Sequence, residues 1–171
     1  MINIRIKLFL LAGTLFFFLA LRFQGSGLQQ PFAPKGIISL ELASTNSQAE
    51  TIISGWTEQG LMRKARNNIW LDFFFIPFYV MLFYTFCGSI SIRLHALSAK
   101  LGVLLAFFSL IAGLFDILEN LLMLFATYGV HNDITTLFTA FFALSKFVLL
   151  GLSLIYVIFF GIPVLAMLKK T

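Results

Sequence analysis

Cysteine and histidine are almost absent from this chain. A single cysteine, Cys87, occurs among 171 residues, so no intrachain disulfide can form and the paired thiols of membrane oxidoreductases are missing. The two histidines, His95 and His131, fall in loops on opposite sides of the topology predicted below, which excludes a bis-histidine haem or a paired-histidine metal site. We therefore expect no metal and no cofactor, and we interpret Cys87 as a small core residue.

Charged residues are scarce as well. They make up 11% of the chain, whereas 60% of the residues are hydrophobic and the mean hydropathy is +0.97. Ordinary soluble domains contain about 25% charged residues, so this composition indicates a protein that is solvated by membrane lipid. The net charge of +5 does not indicate nucleic-acid binding, because the basic residues flank apolar segments, where lipid headgroups attract them.

Four apolar runs predict four transmembrane helices, since a spanning helix needs about 20 mainly apolar residues. The first run is short and has a basic start, which also fits a secretory signal peptide. No A-x-A-like cleavage site follows it, so we interpret it as an uncleaved anchor. The predicted fold class is an all-α, four-helix transmembrane bundle in one membrane domain, residues 1–171. The predicted spans are residues 7–23, 69–92, 101–127 and 137–168.

The positions of lysine and arginine predict an orientation. Four spans place both termini on one side of the membrane, and the basic residues on that side slightly outnumber those on the other side. The positive-inside rule then places both termini in the cytoplasm of a bacterial inner membrane, with the first loop outside. The two sets are Arg5, Lys7, Arg93, Lys100, Lys169 and Lys170 on the side of the termini, and Arg22, Lys35, Arg63, Lys64 and Arg66 on the other.

The first loop, residues 24–68, contains two predicted ordered segments. The stretch "GIISLELA" alternates apolar and polar residues, which predicts a short extended segment. An amphipathic helix is predicted over residues 47–60, where Ser47 and Glu50 have the spacing of a capping box and Gly60 suits the helix end. Its apolar face carries Trp56, so we expect it to lie at the membrane interface or over the bundle mouth; the alternative is a helix merely packed on the loop.

The stretch "GLFDILENLL" places Asp116, Glu119 and Asn120 inside the third apolar run. A charged aspartate at the centre of a spanning helix costs about 2.5–3.5 kcal/mol, so these side chains must be paired, neutralised or exposed to a wet cavity. Their spacing puts them on one helix face. The small residues Ala112 and Gly113, one turn earlier, predict close approach of a neighbouring helix.

Helix depth predicts the partners of this polar face. Lys146, the only basic residue inside a span, lies at the depth of Asp116 in the fourth helix, and the second helix carries Asp72 and Tyr79 in the same half of the membrane. One lysine cannot neutralise three carboxylates, and this excess favours a functional site over simple adhesion between helices, which is the structural alternative. The candidate acid/base or cation-binding pair is Asp116 and Glu119, and the candidate binding residues are Asp72, Tyr79, Asn120 and Lys146.

The chain resembles a group of small bacterial four-helix membrane proteins that have no established activity. The resemblance rests on "LELA" and "IISGW" in the first loop, "LDFFFIPFY" in the second span, "AGLFDILEN" in the third span and a lysine in the fourth. It covers most of the chain from Leu40. It implies the architecture and the candidate constellation, but no reaction.

Three functions fit these patterns. The first is a polar site, open to the outer side, that binds or modifies a lipid-like or amphipathic small molecule. The second is a non-catalytic assembly subunit that docks other membrane proteins through the loop helix and a surface rich in the 22 phenylalanines. The third is a small proton-coupled transporter, although no inverted repeat is visible. Walker, Rossmann, H-E-x-x-H and G-x-S-x-G motifs are absent, and whether the protein is an enzyme stays open.

Overall fold

Six α-helices account for most of the structure, a computed structural model that describes the backbone of residues 3–168 and the side chains of residues 3–163. Lys169 and Lys170, two members of the predicted charge balance, lie outside the described residues. The helices are α1 (Ile4–Gly25), α2 (Ile37–Glu41), α3 (Asn46–Glu58), α4 (Met62–Ser91), α5 (Ala96–Thr127) and α6 (Asp133–Leu168).

The helices α1, α4, α5 and α6 are long and apolar enough to cross a membrane. Their outer surfaces are apolar: Phe16, Phe107 and Phe159 are 65%, 56% and 70% exposed. Large exposed aromatic side chains at this density fit a lipid environment and not water. The predicted all-α bundle of four spanning helices is confirmed, and the chain is a multi-pass membrane protein.

Helix α4 packs on all three other spanning helices, mainly on α5 and α1, whereas α6 packs mainly on α5. Small residues permit the closest contacts. A Cβ atom placed on Gly113 of α5 would lie 2.5 Å from Cγ2 of Val80 in α4, and Ala112 is fully buried. The predicted close approach at these two residues is confirmed, and Cys87 is a fully buried core residue as interpreted.

Polar contacts hold the end of α1 against the start of α4. The side-chain amide of Asn68 donates to the carbonyl of Leu21 at 3.2 Å and to Oε1 of Gln24 at 2.6 Å. Gln24 in turn donates to the carbonyl of Lys64 at 2.9 Å. These partly buried bonds join the end of α1 to the start of α4, so α1 has a defined place beside α4.

The loop between α1 and α4 folds over one end of the bundle, which we call the capped end. Trp56 of α3 is fully buried and its indole N–H donates to the carbonyl of Leu28 at 3.1 Å. Around it, Ile52 packs in one cluster with Ile69 of α4 and Met123 of α5. The apolar face of α3 therefore covers the bundle mouth, as one of the sequence predictions stated.

The predicted extended segment is wrong, because Ile37–Glu41 forms helix α2. Alternation predicts a strand only where a partner strand completes the ladder, and the described chain offers just one isolated bridge, Gln30 to Ala33. In the helix, Leu40 and Glu41 are both buried. The apolar residues that suggested a strand instead attach α2 to the capped end.

The predicted capping box of α3 is also wrong by two residues. The helix begins at Asn46, and its N-cap is Thr45, whose hydroxyl accepts from the amide of Gln48 at 3.3 Å. The Gln48 side chain reaches back to the amide of Ser44 at 2.9 Å. Thr45 and Gln48 have the same spacing as the predicted pair, so the pattern occurs twice in this stretch. The helix end is as predicted, with Gly60 at φ +68°.

Helix α4 begins at Met62, seven residues before the start of the predicted span. The helix continues beyond the apolar segment, and its first two turns carry Arg63, Lys64 and Arg66. Arg66 donates to the carbonyl of Thr127 at 2.5 Å and its guanidinium lies over the ring of Tyr128. Arg66 therefore helps to close the end of α5, which the apolar pattern alone does not reveal.

Candidate functional site

A buried lysine forms the centre of the candidate site. Nζ of Lys146 in α6 lies 2.6 Å from Oδ1 of Asp116 and 2.8 Å from Oε2 of Glu119, both on α5. It also lies 3.9 Å from Oε2 of Glu41 on α2. The exposed fraction of each of these four side chains is below 10%. Charges so deeply buried are stable only when they are paired, and the depth match predicted for Asp116 and Lys146 is present.

Tyr79 and Asp72 of α4, together with Asn120 of α5, extend the cluster. The hydroxyl of Tyr79 donates to Oδ2 of Asp116 at 2.6 Å. The side-chain amide of Asn120 donates to Oδ2 of Asp72 at 2.8 Å. The structure therefore brings together every residue that the sequence nominated for the site, namely Asp72, Tyr79, Asp116, Glu119, Asn120 and Lys146.

The site contains one acid that the sequence analysis missed. Glu41 was assigned to the polar face of an extended segment, but as the last residue of α2 it points into the bundle and is 7% exposed. The available signal was a single charge within the apolar stretch "IISLELA", which is the same argument that identified Asp116. Glu41 was not predicted as a site residue because it lies in a loop, far in sequence from the spanning helices that it contacts.

Negative charge exceeds positive charge in this cluster. Four carboxyl groups, those of Glu41, Asp72, Asp116 and Glu119, surround the single ammonium group of Lys146. Burial raises the pKa of Glu41 above its ordinary value of 4.5, and the neighbouring Asp116 acts in the same direction, against the opposing effects of Lys146 and Glu119. The cluster therefore favours the neutral form of Glu41 or a further positive charge nearby.

The hydrogen bonding of the cluster is incomplete on the acceptor side. Within the part of the chain that the structure describes, every buried side-chain nitrogen or oxygen without a hydrogen-bond partner is an acceptor of this cluster: Glu41 Oε2, both Oε atoms of Glu119, and Asn120 Oδ1. Of these, Glu119 Oε2 and Glu41 Oε2 have ion-pair contacts with Lys146, at 2.8 Å and 3.9 Å. Buried polar atoms normally have partners, so these atoms leave a place for a hydrogen-bond donor, either a water molecule or a group of a ligand.

A cavity of about 310 Å³ lies beside the cluster. Its polar lining comes mainly from the cluster, with Arg22 and Asn68 in addition, and most of the remaining lining is apolar. Since α1 packs on α4 while α6 packs on α5 and α4, the cavity lies in the gap between α1 and α6, with α2 above it. Phe18 of α1 and Phe147 of α6 line it and are 50% and 45% exposed. The cavity therefore borders the lipid-facing surface of the bundle.

Among the described residues, no group of His, Cys, Asp and Glu side chains is arranged to hold a metal ion. Lys146 explains this, because its ammonium group occupies the position among Glu41, Asp116 and Glu119 that a cation would take.

The fold and the site together define a class: a small multi-pass membrane protein with a buried carboxylate–lysine cluster facing an apolar cavity at membrane depth. Comparisons with protein-family models, with curated proteins and with solved structures found no match.

Proposed function

We propose that this protein binds an amphipathic, lipid-like small molecule in the cavity between α1 and α6. The apolar part of the molecule fills the cavity, and a hydrogen-bond donor, best an ammonium group, contacts the carboxylates. The cavity of about 310 Å³ falls within the roughly 300–1,000 Å³ of small-molecule sites. Its apolar walls with a few convergent polar groups also fit this class of site.

The unpaired acceptors carry the proposal. Asn120 is fully buried, lines the cavity and leaves its Oδ1 without a donor among the described residues, while its amide nitrogen is held by Asp72. Glu41 lines the same cavity, and its Oε2 has no hydrogen bond and only a long ion-pair contact of 3.9 Å with Lys146. An unpaired buried acceptor costs about 1–3 kcal/mol, and a cationic donor from the ligand offsets this cost at both positions.

Two alternatives have less support. A cluster that served only to hold the helices together would satisfy its own polar atoms. This one leaves two acceptors, Glu119 Oε1 and Asn120 Oδ1, with neither a hydrogen bond nor an ion-pair contact among the described residues. A subunit that docked through the amphipathic loop helix would present its apolar face, but Ala49, Ile52 and Trp56 of α3 are buried inside the molecule. Ligand binding is consistent with both observations, the acceptors that lack a donor and the buried apolar face of α3.

The proposal is tested with two probes of equal chain length, dodecylamine and dodecanoic acid, which are added to the mildly solubilised protein. Native mass spectrometry measures how much of each probe is bound, and the thermal midpoint measures how far each probe stabilises the protein. The variant Glu41→Gln/Asp72→Asn removes two excess carboxylates and keeps the close contacts of Lys146 with Asp116 and Glu119. The matched control Glu50→Gln/Glu58→Gln makes the same charge change on the exposed side of α3.

We expect the wild type and the control to retain dodecylamine and raise their midpoints, with dodecanoic acid bound about tenfold more weakly or not at all. The Glu41→Gln/Asp72→Asn variant should fold and lose this preference. Equal binding of both probes by the wild type, or an unchanged preference in the variant, would overturn the proposal. A small molecule that is retained from the cell by the wild type and lost from the variant would identify the natural ligand class.

We also propose that both termini face the cytoplasm of a bacterial inner membrane, so that the capped end and the cavity face outward. The balance of lysine and arginine supports this orientation. In a Cys87→Ser background, a membrane-impermeant maleimide added to intact cells should label Glu58→Cys on α3 and not Leu97→Cys at the other end. The reverse labelling pattern would invert the orientation.

A further inference from the structure

A second, smaller cavity adjoins the proposed ligand site. It has a volume of about 110 Å³ and lies at the capped end, between the end of α1 and the start of α2. Arg22, Ile37 and Ile38 line both cavities, so the two cavities are direct neighbours that share these side chains as walls. A ligand that occupies both has to pass between these shared side chains.

The small cavity has the opposite charge to the carboxylate cluster. It is lined by two basic side chains, Arg22 of α1 and Lys35 before α2, and by no acidic residue. The ion pairs found among the described residues all belong to Lys146, so neither Arg22 nor Lys35 has a carboxylate partner there. Arg22 and Lys35 are both exposed, and two basic groups without a carboxylate partner at the walls of one small cavity attract an anion.

The polar and apolar parts follow one another along the bundle axis. The basic pair lies at the capped end, the carboxylate cluster lies deeper, and the apolar lining reaches Thr14 on α1 and Phe83 on α4. The helical rise from Arg22 to Thr14 is about 12 Å, and that from Asp72 to Phe83 is about 16 Å. The lining of the larger cavity therefore extends over about 16 Å along the bundle axis, a length that suits an alkyl chain.

We propose that the ligand is a single-chain amphiphile with three groups in linear order: an anionic headgroup, a hydrogen-bond donor such as an amine, and an alkyl chain. Arg22 and Lys35 bind the anion, a phosphate or a carboxylate. The carboxylate cluster binds the donor, and the groove between α1 and α6 holds the chain. This inference rests on the proposed function, because it adds the headgroup contact to the same site.

The test compares sphingosine with sphingosine 1-phosphate, two probes with the same chain and amine that differ only in the phosphate. Binding to the full-length protein in detergent is measured by titration and thermal midpoint. The variant Arg22→Gln/Lys35→Gln removes the proposed anion contacts. The control Arg63→Gln/Lys64→Gln removes the same charge from the same end of the bundle, outside both cavities. A second variant, Arg22→Lys/Lys35→Arg, keeps the charge.

We expect the wild type, the control and the charge-retaining variant to bind the phosphorylated probe about tenfold more tightly than sphingosine. The Arg22→Gln/Lys35→Gln variant should bind both probes equally, with sphingosine affinity unchanged, which also shows that it is folded. If the wild type binds both probes alike, or the control loses the preference equally, the headgroup proposal is wrong and the proposed function stands. If the wild type binds neither probe, both proposals fail. A sphingosine 1-carboxylate analogue that binds like the phosphate identifies a general anion site.

Discussion

Lys146 is the residue on which the polar cluster depends. It is 5% exposed, and it is the only described basic residue in ion-pair contact with the acids of the cluster. Removing one partner from a buried ion pair is far more costly than replacing the whole pair, because the remaining charge is left in a medium of low dielectric constant. The lysine is therefore important for stability whatever ligand the site binds.

We predict that Lys146→Met destabilises the folded protein by about 3–5 kcal/mol. The same substitution in an Asp116→Asn/Glu119→Gln background should cost much less, because no close carboxylate is left unpaired, and this non-additivity identifies the coupled cluster. Lys100→Met, at an exposed position of α5, is the control. Thermal and denaturant unfolding in detergent measure these differences, and additive effects would contradict the assignment.

The raised pKa of Glu41 predicts a pH dependence. When burial raises the pKa in the folded state above the ordinary value of 4.5, the folded form binds its proton more tightly. The stabilisation is then fully present below pH 4.5 and is lost as the pH rises through the folded-state pKa. Glu41→Gln mimics the protonated acid, so its thermal midpoint should exceed that of the wild type increasingly above pH 4.5. A constant difference across this range would disprove the assignment.

At the scale of helices, the packing of α4 against α5 depends on a glycine, Gly113, which has no side chain to separate the two helices. Gly113 faces Val80 so closely that an added Cβ would lie 2.5 Å from its Cγ2 atom, and a β-branched side chain in a helix has little freedom to move. By contrast, a Cβ on Gly88 of α4 meets no atom within 4 Å. The two glycines thus differ in packing although both lie in spanning helices.

We predict that Gly113→Ala destabilises the protein by about 1–3 kcal/mol through overpacking. Gly88→Ala should be neutral or stabilising by about 0.5–1 kcal/mol, because alanine restricts the unfolded chain and favours the helix. Thermal midpoints of the two variants, measured in the same detergent, provide the comparison. Equal midpoints would show that α4 and α5 are packed less closely at Gly113.

At the scale of the whole molecule, contacts distant in sequence hold the cap on the bundle. Oδ1 of Asp133, at the start of α6, accepts from the amide of Asn46 at 2.8 Å, and the Asn46 side chain lies 2.6 Å from Nδ1 of His131. Trp56 anchors the other half of α3. The cap positions α2, and α2 positions Glu41, so these contacts support the candidate site from a distance.

We predict that Asp133→Ala loosens α3 without unfolding the bundle. The lost hydrogen bond is exposed, so the cost is about 1 kcal/mol, and amide hydrogen exchange across residues 46–58 should become several-fold faster. Glu50→Ala, on the exposed side of α3, should leave exchange unchanged. Faster exchange in α5 and α6 to the same extent as in α3 would instead indicate global destabilisation.

Much of the spanning architecture and most of the site were predictable from particular residues. Asp116, Glu119 and Asn120 stand out because charge inside an apolar helix is costly, and helical rise alone matched Lys146 to their depth. The loop was less predictable. The alternation in "GIISLELA" is compatible with a strand or a helix, and tertiary contacts selected helix α2. Two overlapping capping patterns precede α3, and the structure uses the one that begins at Thr45.

The sequence by itself determined that this is an all-α membrane bundle with a polar face in its third span, because hydrophobicity, helical period and depth are local properties of each segment. Only the tertiary structure decided three features: the ion-pair contact between Glu41 and Lys146, the packing of α3 over the end of the bundle, and the cavity between α1 and α6. The physical reason is that these features arise where surfaces from distant segments meet, and the fit between such surfaces is not encoded in any one of them.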